Sequence, residues 1–190
     1  MTATRERVVL LDDQGAALGV ADKRDVHTTS TPLHLAFSCH LLDDDGRVLI
    51  TRRAMTKRTW PGTWTNSFCG HPEPFEAVPD AVERRAQQEL GTFVDAITLA
   101  LPDFRYRAVD ASGIVENEIC PVYLARHAGD IVPSADEVME TRWVKPEDLA
   151  AALTAAPWAF SPWLVLQAQD LSGADGVIRA SAWQRERTAT

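Results

Sequence analysis

The chain has 190 residues, of which 45% are hydrophobic and 24% are charged, so it can bury one core and is expected to form a single domain. Its net charge of −8 at pH 7 argues against non-specific nucleic-acid binding, which needs a basic surface that neutralises phosphates. No apolar run approaches the ~20 residues that span a bilayer, and residues 1–7 lack a signal-peptide core. Three widely spaced cysteines do not suggest a disulfide framework. We therefore expect a cytoplasmic protein without membrane contact.

The first part of the chain shows strand patterns. Short apolar segments at residues 8–11 and 17–20 predict a hairpin. From residue 33 to residue 41, apolar and polar side chains alternate, which predicts one strand with His34 on its polar face. Residues 48–51 follow a turn and are expected to pair with that strand.

A loop and a helix follow, and the rest of the chain is organised around them. The loop at residues 66–71 carries a thiol and an imidazole. Pro79 suits the first turn of a helix, and Gly91 suits its end, where a left-handed conformation carries little cost. The helix has an apolar stripe of residues four apart, namely Val78, Val82, Ala86 and Leu90. Glu89 lies at the border of this stripe.

Strands and helices interleave in the second half. The sequence predicts strands at residues 96–100, 104–108 and 114–123 and helices at residues 146–153 and 164–171. This order indicates an α/β or α+β domain over residues 1–171, in which a mixed β-sheet is layered with helices. Residues 172–190 are small and polar, and we expect a poorly ordered tail there.

Two glutamates and three histidines form a candidate metal site. Glu116 and Glu118 are two apart on a predicted strand, so both side chains leave one face and repel each other unless a cation joins them or one is protonated. His27, His34 and His71 would add three imidazoles, and such an N/O set of five suits Mg²⁺, Mn²⁺ or Zn²⁺. The alternative is that each histidine is separately a surface or hydrogen-bonded residue, because no two of them have the spacing of a metal motif.

The spacing around the central helix resembles an altered Nudix box. The matching positions are Gly70, Glu76, Arg84, Glu89 and Gly91. In the hydrolases of that family, two further carboxylates bind metal at the positions that Arg85 and Gln88 occupy here. The resemblance therefore implies the Nudix fold and argues against the usual pyrophosphate hydrolysis.

A second, more specific resemblance covers residues 8–171. The chain is similar to the type I isopentenyl-diphosphate isomerases, Nudix-fold enzymes that interconvert isopentenyl and dimethylallyl diphosphate. The segments that match in order are His27, His34, residues 51–53, 60–62, 66–71, 103–107, 113–118 and 158–163. Phe75 departs from the pattern, because a small residue, commonly glycine, is expected before Glu76, and this puts the shape of the loop in doubt.

The resemblance implies a role for each matching residue. It implies proton transfer by Cys69 and Glu118, a hydrogen bond from Tyr106 to Glu118, and an indole face of Trp163 against a carbocation. It assigns a first divalent metal (Mn²⁺, Mg²⁺ or Zn²⁺) to His27, His34, His71, Glu116 and Glu118. It assigns a second, diphosphate-bound Mg²⁺ to Glu89 and the main-chain carbonyl of Cys69. The diphosphate itself is expected to contact Lys23, Arg53, Lys57 and Arg85.

General acid–base chemistry predicts a direction of proton transfer. We expect Glu118, helped by Tyr106, to donate the proton to the alkene, and Cys69, as a thiolate favoured by Mg²⁺ and nearby basic groups, to accept one.

Two other functions stay open. One is a Nudix hydrolase of a nucleoside diphosphate derivative, and the other is a non-catalytic, metal-stabilised binding domain. The expected partner is a small allylic or homoallylic diphosphate, not a nucleic acid.

Overall fold

The structure, a computed structural model, describes residues 6–172 and contains two β-sheets. The first sheet has five strands in the spatial order β2 (Ala17–Asp22), β1 (Arg7–Leu11), β3 (His34–Leu35), β10 (Val115–Ile119) and β9 (Arg105–Val109). The pairing of β1 with β2 is antiparallel, as the sequence predicts. By contrast, β3 and β10 run parallel, with His34 opposite Glu118.

The second sheet has seven strands. Five of them lie in the order β12 (Val138–Val144), β5 (Val48–Arg53), β4 (Phe37–Leu42), β11 (Val122–Ala128) and β8 (Phe93–Leu101). Two short strands extend it, since β6 (Trp64–Thr65) pairs with β5 and β7 (Phe68–Gly70) pairs with β4. The expected partner of β5 is only partly right, because β5 meets β4 at Leu42 and Val48 and pairs along its length with β12.

Within residues 6–172, four helices flank the sheets. They are α1 (Lys23–Val26), α2 (Val78–Leu90), α3 (Pro146–Ala155) and α4 (Pro162–Ser172), and a 3₁₀ turn at Pro157–Ala159 precedes the last. In α2, Pro79 lies in the first turn and Gly91 ends the helix with a φ of 59°. Both features agree with the sequence prediction, because proline costs no hydrogen bond at a helix start and glycine adopts the left-handed conformation without strain.

Two segments that the sequence presents as single strands each divide between the two sheets. Residues 33–41 form β3 and then β4, and residues 114–123 form β10 and the start of β11. The two segments run parallel and cross together, and the amides of Ala36 and Ser38 donate to the carbonyls of Ile119 and Pro121 at 3.0 and 3.1 Å. The predicted alternation is present, since Phe37, Cys39 and Leu41 share one core cluster, and the residues of the other face, His34, Ala36, Ser38 and His40, are also buried.

The second sheet lies between helices, which accounts for its core. Side chains alternate along β5, so Leu49 packs in one cluster with α2 while Val48 and Ile50 pack in another with α3 and α4. The apolar stripe of α2 supplies Val82, Ala86 and Leu90 to the first cluster. The α+β layering that the sequence predicts is therefore present. No helix within residues 6–172 is long and apolar enough to cross a membrane.

Phe75 lies in a loop outside the helices and strands. Phe75 has a φ of 71°, a left-handed conformation that suits glycine, and its side chain is fully exposed. The backbone there thus keeps the shape that a glycine would adopt, although a larger residue occupies the position. The expected poorly ordered tail at residues 172–190 lies, from residue 173 onward, outside the described residues.

Candidate active site and metal centre

Parallel pairing of β3 with β10 builds the centre of the site. The register sets His34 beside Glu118, and His27 follows α1 while His71 follows β7. Ligand atoms of His27, His34, His71 and Glu118 all lie within 4.8 Å of one another. The structure thus brings together four of the five residues that the sequence predicts as ligands of the first metal.

The fifth residue, Glu116, borders this group. Its Oε2 lies 2.9 Å from Nε2 of His27, and its Oε1 accepts a hydrogen bond of 2.7 Å from the hydroxyl of Thr59. Because Glu116 and Glu118 are two apart on β10, both carboxylates leave the same face, as predicted. Thr59 is a partner that the sequence does not reveal, since it lies 57 residues away in the chain.

The polar atoms of this group fit a divalent cation. Within residues 6–172, the buried side-chain nitrogens and oxygens that form no hydrogen bond are His27 Nε2, His34 Nε2, His71 Nδ1 and Glu116 Oε2. His27 Nε2 and Glu116 Oε2 lie 2.9 Å apart but form no hydrogen bond with each other. Buried polar atoms without partners are costly, and all four belong to predicted ligands. His34 Nδ1 lies 2.9 Å from the carbonyl of Pro32, and donation there leaves a lone pair on Nε2 for a metal.

The pKa shifts of two members of this group, Glu118 and His71, favour cation binding. Burial opposes ionisation of Glu118, but the imidazoles of His34 and His71 hold its pKa well below its usual range. Burial lowers the pKa of His71 to about 3, although Glu118 acts in the opposite direction. An ionised carboxylate and a neutral imidazole are the forms that bind metals.

The Cys69 thiol lies between two polar partners. Its Sγ donates to Oδ1 of Asn66 at 3.3 Å, and the hydroxyl oxygen of Ser38 lies 3.3 Å from the sulfur. Nδ2 of Asn66 donates to the carbonyls of Cys39 and Phe68 at 3.1 and 2.7 Å, which fixes Oδ1 as the acceptor that faces Cys69.

The protein groups around the sulfur bear on the expected thiolate at Cys69, which stays a prediction because it depends on bound Mg²⁺. Burial raises the pKa of the Cys69 thiol to about 11, although the hydrogen bond with the Ser38 hydroxyl opposes this. An acceptor oxygen stabilises the S–H form and repels the thiolate, and no basic side chain hydrogen-bonds to the sulfur among residues 6–172. The protein around Cys69 therefore favours the thiol.

Two aromatic residues complete the wall around Cys69 and Glu118. The hydroxyl of Tyr106 donates to Oε2 of Glu118 at 2.9 Å, as expected. Trp163 donates its indole N–H to Oδ1 of Asn66 at 2.9 Å. The guanidinium carbon of Arg53 lies 5.4 Å from the centre of the Trp163 ring, so an aromatic face in this site already contacts a cation.

The basic residues expected to bind diphosphate line a cavity of ≈ 520 Å³. This set comprises Lys23, Arg53, Lys57 and Arg85. Gly70 permits close packing there, because a Cβ at its position would lie 2.7 Å from Cγ of Arg85. Cys69, Glu89, Glu118, Tyr106 and Trp163 also line the cavity, so the expected proton-transfer and anion-binding groups share one space.

Carboxylates pair with three of these cations. Lys23 pairs with Glu6 at 2.5 Å, Lys57 pairs with Glu137, and Arg85 contacts Glu137 at 3.3 Å. Oε1 of Glu89 accepts from Nε of Arg85 at 3.1 Å and also contacts Nη2. Burial opposes ionisation of Glu137, but Lys57 and Arg85 lower its pKa to about 2. No local sequence signal reveals Glu6 or Glu137, because both contacts join residues 17 or more positions apart.

A second polar group lies behind Cys69. His40 is fully buried, and its Nε2 lies 3.0 Å from Oε1 of Gln167 on α4. Burial lowers the pKa of His40 to about 4 from its usual 6.5, although the contact with Gln167 acts in the opposite direction. His40 is therefore neutral in the folded protein at neutral pH.

We expect His40 to make the protein sensitive to acid. Below pH 6.5 the unfolded chain binds a proton at His40 that the folded chain does not bind until about pH 4. The free energy of unfolding should consequently fall as the pH drops through this range, by about 3 kcal/mol from this residue. Urea unfolding of metal-free wild type and His40→Gln at pH 7 and pH 4 measures the effect. Equal pH dependence in the two proteins would contradict it.

Comparison with known proteins identifies relatives of the whole chain. Residues 32–164 match the NUDIX domain family. The isopentenyl-diphosphate Delta-isomerase of Leifsonia xyli is 62% identical over 178 residues, which cover 93% of this chain and 96% of the relative. The enzyme of the same name from Agromyces mediolanus is 58% identical over 95% of this chain and 89% of the relative.

Solved structures agree on the fold. A protein of known crystal structure from Deinococcus radiodurans superposes with a TM-score of 0.60 at 21% identity, over 79% of this chain and 90% of that one. A MutT Nudix hydrolase from Burkholderia pseudomallei has a TM-score of 0.50 at 25% identity, over 60% of this chain and 84% of that one. The fold is thus shared with hydrolases, while the more similar sequences are isomerases.

Proposed function

This chain belongs to the isopentenyl-diphosphate Delta-isomerases of the Nudix family, and from this premise we propose that it interconverts isopentenyl and dimethylallyl diphosphate. The observation that carries the proposal is one cavity that holds a thiol, a carboxylate, an aromatic wall and a group of cations. The thiol and carboxylate serve proton transfer, the aromatic wall accommodates the five-carbon chain, and the cations attract the diphosphate.

Hydrogen bonds support a division of roles between Cys69 and Glu118. Asn66 Oδ1 accepts from Cys69, which favours a proton on sulfur, and Tyr106 donates to Glu118, which favours a carboxylate. We therefore propose that Cys69 gives its proton to the terminal methylene carbon of isopentenyl diphosphate, which leaves a tertiary cation. Glu118 then takes a proton from the adjacent methylene group, and the electron pair of that C–H bond forms the new double bond. The reverse reaction exchanges the two roles.

Trp163 would stabilise the cation between these steps. Its ring packs with Tyr106, at 5.6 Å between centroids, and with Trp60 at 5.3 Å. A desolvated cation over an indole face gains ~2 kcal/mol or more. The contact with Arg53 supports this role, because it shows a positive group close to the Trp163 ring.

The metals are proposed from the ligand chemistry. We propose Mg²⁺, Mn²⁺ or Zn²⁺ for His27, His34, His71, Glu116 and Glu118, because nitrogen and oxygen ligands in this number suit those ions. When bound, the ion would fix the orientation of Glu118 and supply positive charge beside it. We propose Mg²⁺ as the companion of the diphosphate, held by Glu89 and the Cys69 carbonyl, with Arg85 released from Glu89 to contact the phosphates.

Removal of one diphosphate contact should mainly weaken binding. We expect Lys57→Ala to raise KM by about tenfold with little change in kcat, because a group remote from the reacting carbons binds ground and transition states similarly. Steady-state kinetics test this, with Lys145→Ala, an exposed residue before α3, as the matched control. A large fall in kcat at unchanged KM would contradict the role of Lys57.

One experiment tests the function as a whole. Isopentenyl diphosphate is incubated with the protein and Mg²⁺ in D₂O, and the products are followed by NMR. An isomerase forms dimethylallyl diphosphate and incorporates deuterium from solvent without releasing phosphate. Release of phosphate from a nucleoside diphosphate derivative would instead support a hydrolase, and neither reaction would support a binding domain.

A further inference from the structure

A buried row of polar side chains connects α4 to the sulfur of Cys69. His40 Nε2 lies 3.0 Å from Gln167 Oε1, Gln167 Nε2 donates to Ser38 Oγ at 2.8 Å, and Ser38 Oγ lies 3.3 Å from Cys69 Sγ. His40, Gln167 and Ser38 are each at most 2% exposed. The row therefore reaches the cavity from the protein interior, and none of these three residues lines the cavity.

The direction of each hydrogen bond in the row is constrained. The amide of Gln167 donates to Ser38 and occupies a lone pair of its hydroxyl oxygen. The hydroxyl hydrogen of Ser38 is then available to a sulfur, either Cys69 at 3.3 Å or Cys120 at 3.4 Å. Since Cys69 donates its own proton to Asn66, its sulfur is free to accept the hydrogen from Ser38.

Helix α4 donates hydrogen bonds to both hydrogen-bond partners of Cys69, namely Asn66 and Ser38. Trp163 and Gln167 are four apart and so lie on one face of the helix. Trp163 donates to Asn66, the acceptor of the Cys69 proton, and Gln167 donates to Ser38, the donor to the sulfur. Both side chains are buried, at 3% and 0% exposure.

We propose that Gln167 and Ser38 are positioning residues for the thiol of Cys69. This inference rests on the proposed isomerase function. When Cys69 gives its proton to the substrate carbon, the S–H bond breaks and its electron pair stays on sulfur. The Ser38 hydroxyl, held in place by Gln167, stabilises that charge by a hydrogen bond, and Gln167 acts only through Ser38.

A purely structural row would behave differently. Buried polar networks also stabilise a fold, and removing one member then lowers stability and reduces the amount of active protein. Such a loss does not change kcat per folded molecule. Positioning of Cys69, in contrast, lowers kcat and leaves KM and metal content unchanged, because neither the diphosphate contacts nor the metal ligands include Ser38 or Gln167.

The test combines two substitutions with a matched control. Gln167→Met keeps the length of the side chain but removes its donor, Ser38→Ala removes the hydroxyl, and Gln169→Met alters an exposed residue of the same helix. We expect kcat, normalised to folded protein, to fall by about 10- to 100-fold in Gln167→Met and Ser38→Ala, the range for a hydrogen bond to a charged group. We expect KM and metal content to stay unchanged in both variants. We also expect kcat to stay unchanged in Gln169→Met.

The double variant decides between action through Ser38 and independent effects. If Gln167 acts through Ser38, adding Gln167→Met to Ser38→Ala should cost no further kcat, whereas independent effects multiply. Unchanged kcat in Gln167→Met would overturn the inference, and so would losses of kcat that multiply in the double variant. In either case the proposed function would still hold if the wild type isomerises the substrate in D₂O. Absence of isomerisation by the wild type would overturn both.

Discussion

Replacing Cys69 with serine is expected to lower isomerase turnover by about 10²- to 10⁴-fold, the contribution of a positioned proton-transfer group. Serine keeps the shape of the side chain and a hydrogen for Asn66, but a hydroxyl holds its proton far more tightly than a thiol does. Cys69→Ala removes the proton altogether and should be at least as severe. The side chain of Cys69 is neither a proposed metal ligand nor a proposed diphosphate contact, and the substitution keeps its main-chain carbonyl, so metal content and diphosphate affinity should stay close to those of wild type.

The measurements for this prediction are deuterium incorporation, metal analysis and inhibition by inorganic diphosphate. Cys39→Ala serves as the control, since Cys39 is a buried cysteine in the apolar core beneath α2 and has no contact with the cavity. Near wild-type isomerisation by both Cys69→Ser and Cys69→Ala would rule out the mechanism with two proton-transfer groups.

Replacing Glu118 with glutamine should abolish both turnover and tight metal binding. The amide keeps the size of the side chain but cannot accept a proton from substrate, and it loses the negative charge, next to His34 and His71, that would attract the proposed cation. A metal whose free concentration is 100 times its dissociation constant stabilises the fold by about 2.7 kcal/mol. The variant should therefore also lose most of the rise in melting temperature that added metal produces in wild type.

Tyr106→Phe gives the matched comparison for Glu118. It removes only the hydroxyl that donates to Oε2 of Glu118, so it should lower kcat while the metal content stays high. Titration calorimetry with Mg²⁺, Mn²⁺ and Zn²⁺ on all three proteins measures the difference. Unchanged metal affinity in Glu118→Gln would remove this carboxylate from the metal centre.

Local signals in the sequence were sufficient for several features. Helix α2 could be predicted because Pro79, Gly91 and the apolar stripe each act within a few residues of the helix. The shared face of Glu116 and Glu118 follows from strand geometry alone. The resemblance to a family supplied the roles of Cys69 and Tyr106, which spacing does not indicate.

Other features depend on contacts that no short segment encodes. The division of residues 33–41 between two sheets is hidden because both faces of the segment are buried, so alternation no longer marks an exposed side. The hydrogen bond from Cys69 depends on Asn66, whose orientation in turn is fixed by the carbonyl of Cys39, 27 residues away. Gln167 reaches Ser38 across 129 residues, and only the folded chain shows this pairing.

The parallel pairing of β3 with β10 has a consequence for biosynthesis. His34 and Glu118 face each other in register, yet a ribosome that adds about 5–20 residues each second completes His34 well before Glu118. The nascent chain therefore cannot assemble the full set of proposed metal ligands until β10 has emerged from the exit tunnel and paired with β3. Capture of the proposed ion would thereby be delayed until most of the domain has been synthesised, so a chain truncated before β10 would compete poorly for the cell's divalent ions.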